Sequence, residues 1–492
     1  MGWRLFPKSL IRNRWPLDLP LCAFSSRDPF TLADACEGVA VFGMTGSGKT
    51  TGSGEYMASG FLAVGMGGLV LTAKPDERAQ WERYCRKHGR LQDLVVMSAG
   101  GDVTFNFMNY ELRRPGRGGG LTENLANLFT EVLGVMERRK GGGREDEGYW
   151  QRACQQLVRN ALDILMLGRG DVSLPELYRT VISLPQSIDA AKSPSWKESS
   201  FAFSCLKAAD AAQLPFSRRQ DLALAADYAL LEFPAISDRT RSVIVSTFTS
   251  LIDVLQRGVL RELFCSATTI TPEMIADGKI LLIDLPVKEY LEVGRLAQII
   301  FKYVFMRAIE HRPPEPDMRP VFLWADESQN FVSEYDFQFQ TTARSARVCT
   351  VYLTQNISNL YATMGAGDEG KARVDSLLGN LNTKIMHANG DSVTNAWAAE
   401  LIGQSRQFHI NASHSQPLDP FSALCGLSGG NASAGGGVNE VLEHEVPPST
   451  FTTLRKGGVA NKGEIDAIVY QAGRRFRANG ATWMPVTFQQ RF

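Results

Sequence analysis

The segment that most constrains this chain is Gly43-Met44-Thr45-Gly46-Ser47-Gly48-Lys49-Thr50, a complete G-x-x-x-x-G-K-[ST] loop. Its glycines permit a tight turn whose backbone N–H groups converge on phosphate oxygens. Lys49 can reach the β and γ phosphates, and Thr50 can ligand Mg²⁺. The helix that begins at the lysine adds its positive end to the same anion. An apolar run at 38–42 precedes the loop and a helical stretch follows it, so the setting suits the motif. The expectation is an ATP and Mg²⁺ site in which Gly43, Thr45, Gly46, Ser47, Gly48, Lys49, Thr50 and Thr51 form the phosphate cradle.

Further apolar runs at 68–72 and 94–97 alternate with helical stretches, as in a parallel α/β sheet. From about residue 109 the pattern changes. Leu121, Leu125, Leu128, Val132 and Met136 recur at helical spacing, as do Trp150, Cys154, Leu157, Ala161 and Leu165. Gly168 reads as a stop for the second of these helices, and Ser173 with Glu176 as a capping box for the next. A later helix carries Val243, Ile244, Phe248, Leu251 and Leu255. The sheet pattern returns at 279–284, 320–325 and 348–353. The fold class expected is therefore α/β, with a mostly parallel sheet interrupted by an all-α domain. The expected division is 1–108 and 263–492 for the two parts of the nucleotide-binding domain, and 109–262 for the helical one. Residues 411–437, rich in Ser, Gly and Asn, read as a surface loop.

The run at 321–325 ends in Asp326-Glu327, and acids at the carboxyl end of a strand face a phosphate site. Asp326 is expected to hold the Mg²⁺ shell, and Glu327 to orient and polarise the attacking water as general base. The run at 348–353 ends in Thr354-Gln355, and Gln355 is placed to sense the γ phosphate. Just upstream, Arg344 and Arg347 are the candidates for an arginine finger reaching across a subunit boundary, with Arg344 preferred.

Composition excludes little. Lys plus Arg and Asp plus Glu number 52 each, which shows no bulk charge for nucleic acid but leaves room for a positive pore. The densest basic run is Arg138, Arg139, Lys140 and Arg144, a phosphate contact or a solvated loop. The eight cysteines form no C-x-x-C pair and read as reduced thiols, and His409 and His414 make a poor metal pair. The longest apolar run, 61–73, falls short of the roughly 20 residues needed to span a bilayer, and no signal peptide is expected.

The series of the phosphate loop, then Thr72-Ala73-Lys74-Pro75-Asp76-Glu77, then Phe105-Asn106, resembles the TraG/TraD-type coupling protein family of conjugation and type IV secretion. Asp277-Gly278-Lys279, the acidic pair, Arg344, Gln355 and Gly379-Asn380 continue the resemblance in order. It implies a RecA-like ATPase, related to the HerA/FtsK proteins, that forms a hexameric ring. Such a ring recruits or moves DNA, with a bound relaxase or effector protein, towards a secretion channel. The chain departs from the family in lacking N-terminal membrane helices, in Ser328 after the acidic pair, and in Pro75-Asp76 within the Lys74 segment. The expected location is cytoplasmic, with recruitment to the inner face of the membrane. Two other readings stay open. One is a HerA/FtsK-like translocase or defence-associated ATPase; the other is a substrate adaptor that uses ATP only to assemble its ring.

Overall fold

The computed structural model describes residues 14–114, 118–138, 147–313, 315, 317–365, 367–415 and 433–490. A small antiparallel pair, β1 (Pro20–Ala23) and β2 (Pro29–Thr31), precedes the main sheet. The apolar runs then supply β3 (Val39–Phe42), β4 (Gly67–Leu71), β5 (Leu94–Ser98), β6 (Ile280–Asp284), β7 (Val321–Ala325), β8 (Val348–Thr354) and β9 (Thr383–His387). All seven are parallel, which fits their near-continuous burial by helices on both faces. β10 (Gln404–Ser415) and β11 (Ser433–His444) form a separate ribbon. β12 (Glu464–Gln471) and β13 (Trp483–Gln489) add an antiparallel hairpin to the main sheet. The nine strands of that sheet run β13-β12-β9-β3-β8-β7-β4-β6-β5. β3, which leads into the phosphate loop, therefore lies inside the sheet, and β8 separates it from the acidic-pair strand β7.

From Phe107 to Phe264 every described element is a helix. The two longest before Ser173, Thr122–Arg138 and Glu147–Arg169, pack through Leu125, Phe129, Val132, Leu157, Leu162 and Leu165. The architecture is thus a large, mostly parallel sheet with a helical block between β5 and β6.

Several local readings change. The second long helix does not stop at Gly168; it runs to Arg169, and Gly170 takes the left-handed turn at φ 72°. Gly168 is needed for a different reason, because a Cβ there would sit 2.3 Å from the Cys205 carbonyl oxygen. Ser173 caps the following helix by accepting from the Glu176 N–H, but its hydroxyl also binds the Glu176 carboxylate, so the box is not closed through the backbone. Val243 is exposed on its helix, and Leu121, also exposed, lies just before the helix Thr122–Arg138 rather than on it. The segment read as a loop from 411 to 437 is, where described, the ends of the β10–β11 ribbon, paired in register from Gln404↔His444 to Ser415↔Ser433. Of the basic run, Arg139, Lys140 and Arg144 lie outside the described residues.

No single helix among the described residues is long and apolar enough to cross a membrane. Asp238–Leu255 and Gly258–Phe264 are apolar enough only taken together. They bend apart by 81°, and Ile244, Phe248, Leu251, Leu260 and Leu263 are buried in the helical core.

Candidate functional site at the carboxyl edge of the sheet

The carboxyl ends of parallel strands in an open α/β sheet are where ligands bind, and here four neighbouring strands deliver polar groups to one place. The loop after β3 is shaped by two glycines with positive φ, Gly46 at 73° and Gly48 at 85°. A Cβ on Gly43 would lie 2.3 Å from Ser47 Oγ, so the loop closes on itself only with glycine there. Thr45 and Gly46 are exposed and Lys49 is buried. The helix begins as a π turn over Thr50–Gly54, with Thr51 on its exposed side, and continues as an α-helix over Glu55–Ala63. The wide turn is closed by the Gly54 N–H donating to the Lys49 carbonyl (2.8 Å).

β7 brings the acidic pair to the loop. The Thr50 hydroxyl donates to Asp326 Oδ2 (2.8 Å), and Lys49 Nζ lies 3.6 Å from Glu327 Oε1. Glu327 is a non-glycine residue in the left-handed region, at φ 51° and ψ 49°. That conformation costs on the order of 1–3 kcal/mol and persists only when neighbours enforce it. Here the Glu327 carbonyl accepts from both the backbone N–H (3.0 Å) and the side-chain amide (2.9 Å) of Asn330. β8 leads into Gln355, whose amide donates to both Glu327 carboxylate oxygens at 3.3 Å. Lys49, Thr50, Asp326, Glu327 and Gln355 therefore meet.

Three contributors came to light only in the structure. Gln329 donates to Glu327 Oε2 (2.9 Å) and is itself fixed by the Thr354 hydroxyl (2.9 Å). Lys74, on the turn after β4, lies 3.2 Å from Glu327 Oε1 and 3.3 Å from Asp326 Oδ2. His387, at the end of β9, is fully buried beneath the loop, with Nε2 2.7 Å from Ser53 Oγ and Nδ1 3.1 Å from the Asp466 carbonyl oxygen. A neutral imidazole facing that carbonyl must carry its proton on Nδ1, which leaves Nε2 to accept from Ser53. Gln329 and His387 carry no motif of their own; Lys74 had a signal, a lysine before proline at the end of a buried strand.

The electrostatics follow from these contacts. Burial works against the Glu327 charge, but Lys49, the Gln329 amide, Lys74 and Gln355 outweigh it and bring the carboxyl down to about 2. Burial likewise opposes the Lys74 ammonium, yet Asp326, Glu327 and Glu77 raise its pKa. Glu77 is pushed well above the carboxylate range by burial and by Asp326, against a hydrogen bond from the Ala73 N–H. His387 is lowered to about 4 by burial, with Lys49 adding to the effect and the Asp466 carbonyl opposing it.

Of the three buried hydroxyls without a partner among the described residues, two lie at the site, Ser47 Oγ in the phosphate loop and Ser328 Oγ after the acidic pair; the third is Ser59 Oγ. Orphaned buried donors are rare and call for an explanation. At Ser47, in a glycine-shaped loop of the phosphate-binding pattern, a bound anion would supply one.

The arginines are placed differently. Arg344 precedes β8, at the opposite end from Gln355 of a strand that spans about 20 Å at ~3.3 Å per residue. It is two-thirds exposed and paired with Glu37 at 3.2 Å. Arg347 donates to the carbonyl oxygens of Trp15 (2.6 Å) and Met318 (3.1 Å), so its guanidinium is used within the chain. His409 lies 3.1 Å from Glu443 across the ribbon, and no metal-binding cluster occurs among the described residues.

Comparison with known proteins agrees with this architecture. Residues 320–431 match the family described as the TraM recognition site of TraD and TraG. No curated protein matches the sequence. Among solved structures, the bacterial conjugative coupling protein TrwB in its unbound form is similar over 100% of this chain and 94% of its own, with TM-score 0.60 at 16% identity. TrwB with a non-hydrolysable ATP analogue gives TM-score 0.60 at 16% identity, covering 100% of this chain and 96% of that one. TrwB with ADP and Mg²⁺ gives 0.59 at 15% identity, covering 100% and 94%. The fold is the RecA-like α/β fold with a helical domain, and residues 320–431 carry the similarity to the TraM recognition site of TraD and TraG.

Proposed function

We propose that this chain is a Mg²⁺-dependent P-loop ATPase that serves as a coupling ATPase of conjugation or type IV secretion. The observation that carries the reading is the meeting of Lys49, Thr50, Asp326, Glu327 and Gln355 at one edge of the sheet, over a loop whose Ser47 hydroxyl is buried without a partner. The loop fits a triphosphate, and Thr50 with Asp326 fits Mg²⁺, which would neutralise phosphate charge there. Lys49 and the loop N–H groups bind and orient the phosphates. Glu327, ionised and held by Gln329 and Gln355, accepts the proton of the attacking water. Gln355 stands next to that water and the γ phosphate, so it can report the loss of the phosphate to β8.

The remaining assignments belong to the same reading. Residues 1–108 and 263–492 form the nucleotide-binding domain and 109–262 the all-α domain. Subunits assemble into a hexamer on nucleotide or DNA, where Arg344, exposed and remote from its own site, reaches the site of a neighbour. The family match to a TraM recognition site supports a relaxosome protein as partner, with DNA as the substrate moved, at the cytoplasmic face of the membrane. ATP hydrolysis measured alone, with DNA, and with a relaxosome protein tests the coupling. Stimulation of several-fold by DNA or by the protein is expected; a rate indifferent to both would leave an ATPase without the coupling role.

A further inference from the structure

Asp326 and Glu327 are adjacent carboxylates, 3% and 5% exposed. Burying two such charges is costly unless each is compensated. Lys49 approaches only one of them, at 3.6 Å from Glu327. The second cation comes from another strand: Lys74 Nζ bridges the pair, 3.3 Å from Asp326 and 3.2 Å from Glu327.

A lysine on a turn is ordinarily a loose surface group, but this turn is fixed from both sides. The Thr72 N–H donates to Gln298 Oε1 and its hydroxyl to the Ile283 carbonyl, both at 2.6 Å. Gln298, fully buried, donates back to the Thr72 carbonyl (3.0 Å). The Ala73 N–H donates to Glu77 Oε2 (2.8 Å), and the Ala73 carbonyl accepts from the Lys288 N–H (3.1 Å). Pro75 then disfavours a helical backbone at Lys74. This is a mount for one side chain.

Building on the functional reading above, we propose that Lys74 is a positioning residue for hydrolysis, holding the Glu327 carboxylate in place when Lys49 turns to the phosphates. One lysine cannot neutralise both a triphosphate and Glu327. Once an anion occupies the loop, Lys49 serves the anion, and Glu327 keeps only the neutral amides of Gln329 and Gln355 unless Lys74 stays. Without Lys74 the carboxylate is drawn towards the nearest remaining cation, away from the water it must orient.

The experiment compares wild type, K74M, K74R and E327Q for kcat, KM for ATP and affinity for a fluorescent ATP analogue. K74M should lose about 10- to 100-fold in kcat, up to the lower end of the roughly 10²- to 10⁴-fold that a positioned general base contributes. Its KM and analogue affinity should move by less than about threefold, the mark of an interaction that matters after binding. K74R, which keeps the charge, should recover most of the loss. Wild-type kcat in K74M, or a loss confined to KM, overturns the proposal. E327Q separates the two claims: an active wild type with an inactive E327Q keeps the ATPase reading whatever K74M does. The nucleotide-free protein gives a readout independent of turnover. With the bridging ammonium gone, Mg²⁺ alone should raise the melting temperature of K74M by about 2–4 °C more than that of wild type. Equal responses would overturn the bridging role.

Discussion

The two ends of β8 carry comparable chemistry and put it to opposite uses. At the carboxyl end, Gln355 joins two lysines and two carboxylates that are largely buried, around a strained Glu327 and an unpartnered Ser47 hydroxyl. At the amino end, Arg347 is bound to backbone carbonyls of its own chain, while Arg344 is exposed beside Glu37. Charge alone does not distinguish the two. What does is that the carboxyl end keeps its charge buried, whereas left-handed backbone occurs at both ends, at Glu327 (φ 51°) and at Arg347 (φ 52°). The amino end spends both arginines on contacts within the chain, and of the two it is Arg344 that is exposed.

The largest expected effect lies at the carboxyl end. Lys49→Ala should lower ATP turnover by about 10²-fold or more, because a preorganised charge on the phosphates is lost, while circular dichroism and melting show an intact fold. A second experiment carries the contrast to the amino end. Arg344→Ala and Glu327→Gln should each be inactive in rings, and mixing them should restore part of the activity at boundaries where both groups are intact. Demonstrably mixed oligomers with no recovery would assign Arg344 to the surface role it has within one chain.

A smaller effect concerns His387, whose pKa falls to about 4 in the folded chain. The unfolded chain then binds the proton first, near 6.5, so stability declines as pH drops from about 6.5 towards 4, by up to ~1.4 kcal/mol per unit. Urea midpoints at pH 7 and pH 5 should therefore differ more for wild type than for His387→Gln; parallel slopes would show that the imidazole is not held neutral. The smallest effect is Glu37→Ala. Losing its pair with exposed Arg344 and the hydrogen bond it accepts from the Asn382 amide (2.8 Å) should cost about 1–2 kcal/mol, without changing turnover per assembled ring.

The contrast also explains what could be read from the chain. Features written in contiguous residues were legible: the phosphate loop with its glycines, the apolar runs that become β3 to β8, and an acidic pair at a strand end. Features that depend on distant residues were not. Lys74 reaches the acids only because β4 is placed beside β7, and His387 reaches Ser53 only because β9 is placed beside β3. The β10–β11 ribbon was missed because its Ser, Gly and Asn residues carry loop preferences that strand pairing overrides. Gly168 misled because a glycine required for close helix packing looks the same in sequence as one that ends a helix.

The central claim is that the groups gathered at the carboxyl edge hydrolyse a bound nucleotide, with Glu327 acting on the water and Lys49 on the phosphates. Its most direct test is single-turnover hydrolysis of Mg²⁺·ATP by wild type and Glu327→Gln, with binding of a fluorescent ATP analogue measured on the same samples. The account predicts that Glu327→Gln binds the analogue about as well as wild type and releases phosphate at least ~10²-fold more slowly. Near-normal phosphate release by Glu327→Gln, or an analogue that neither protein binds, would contradict it.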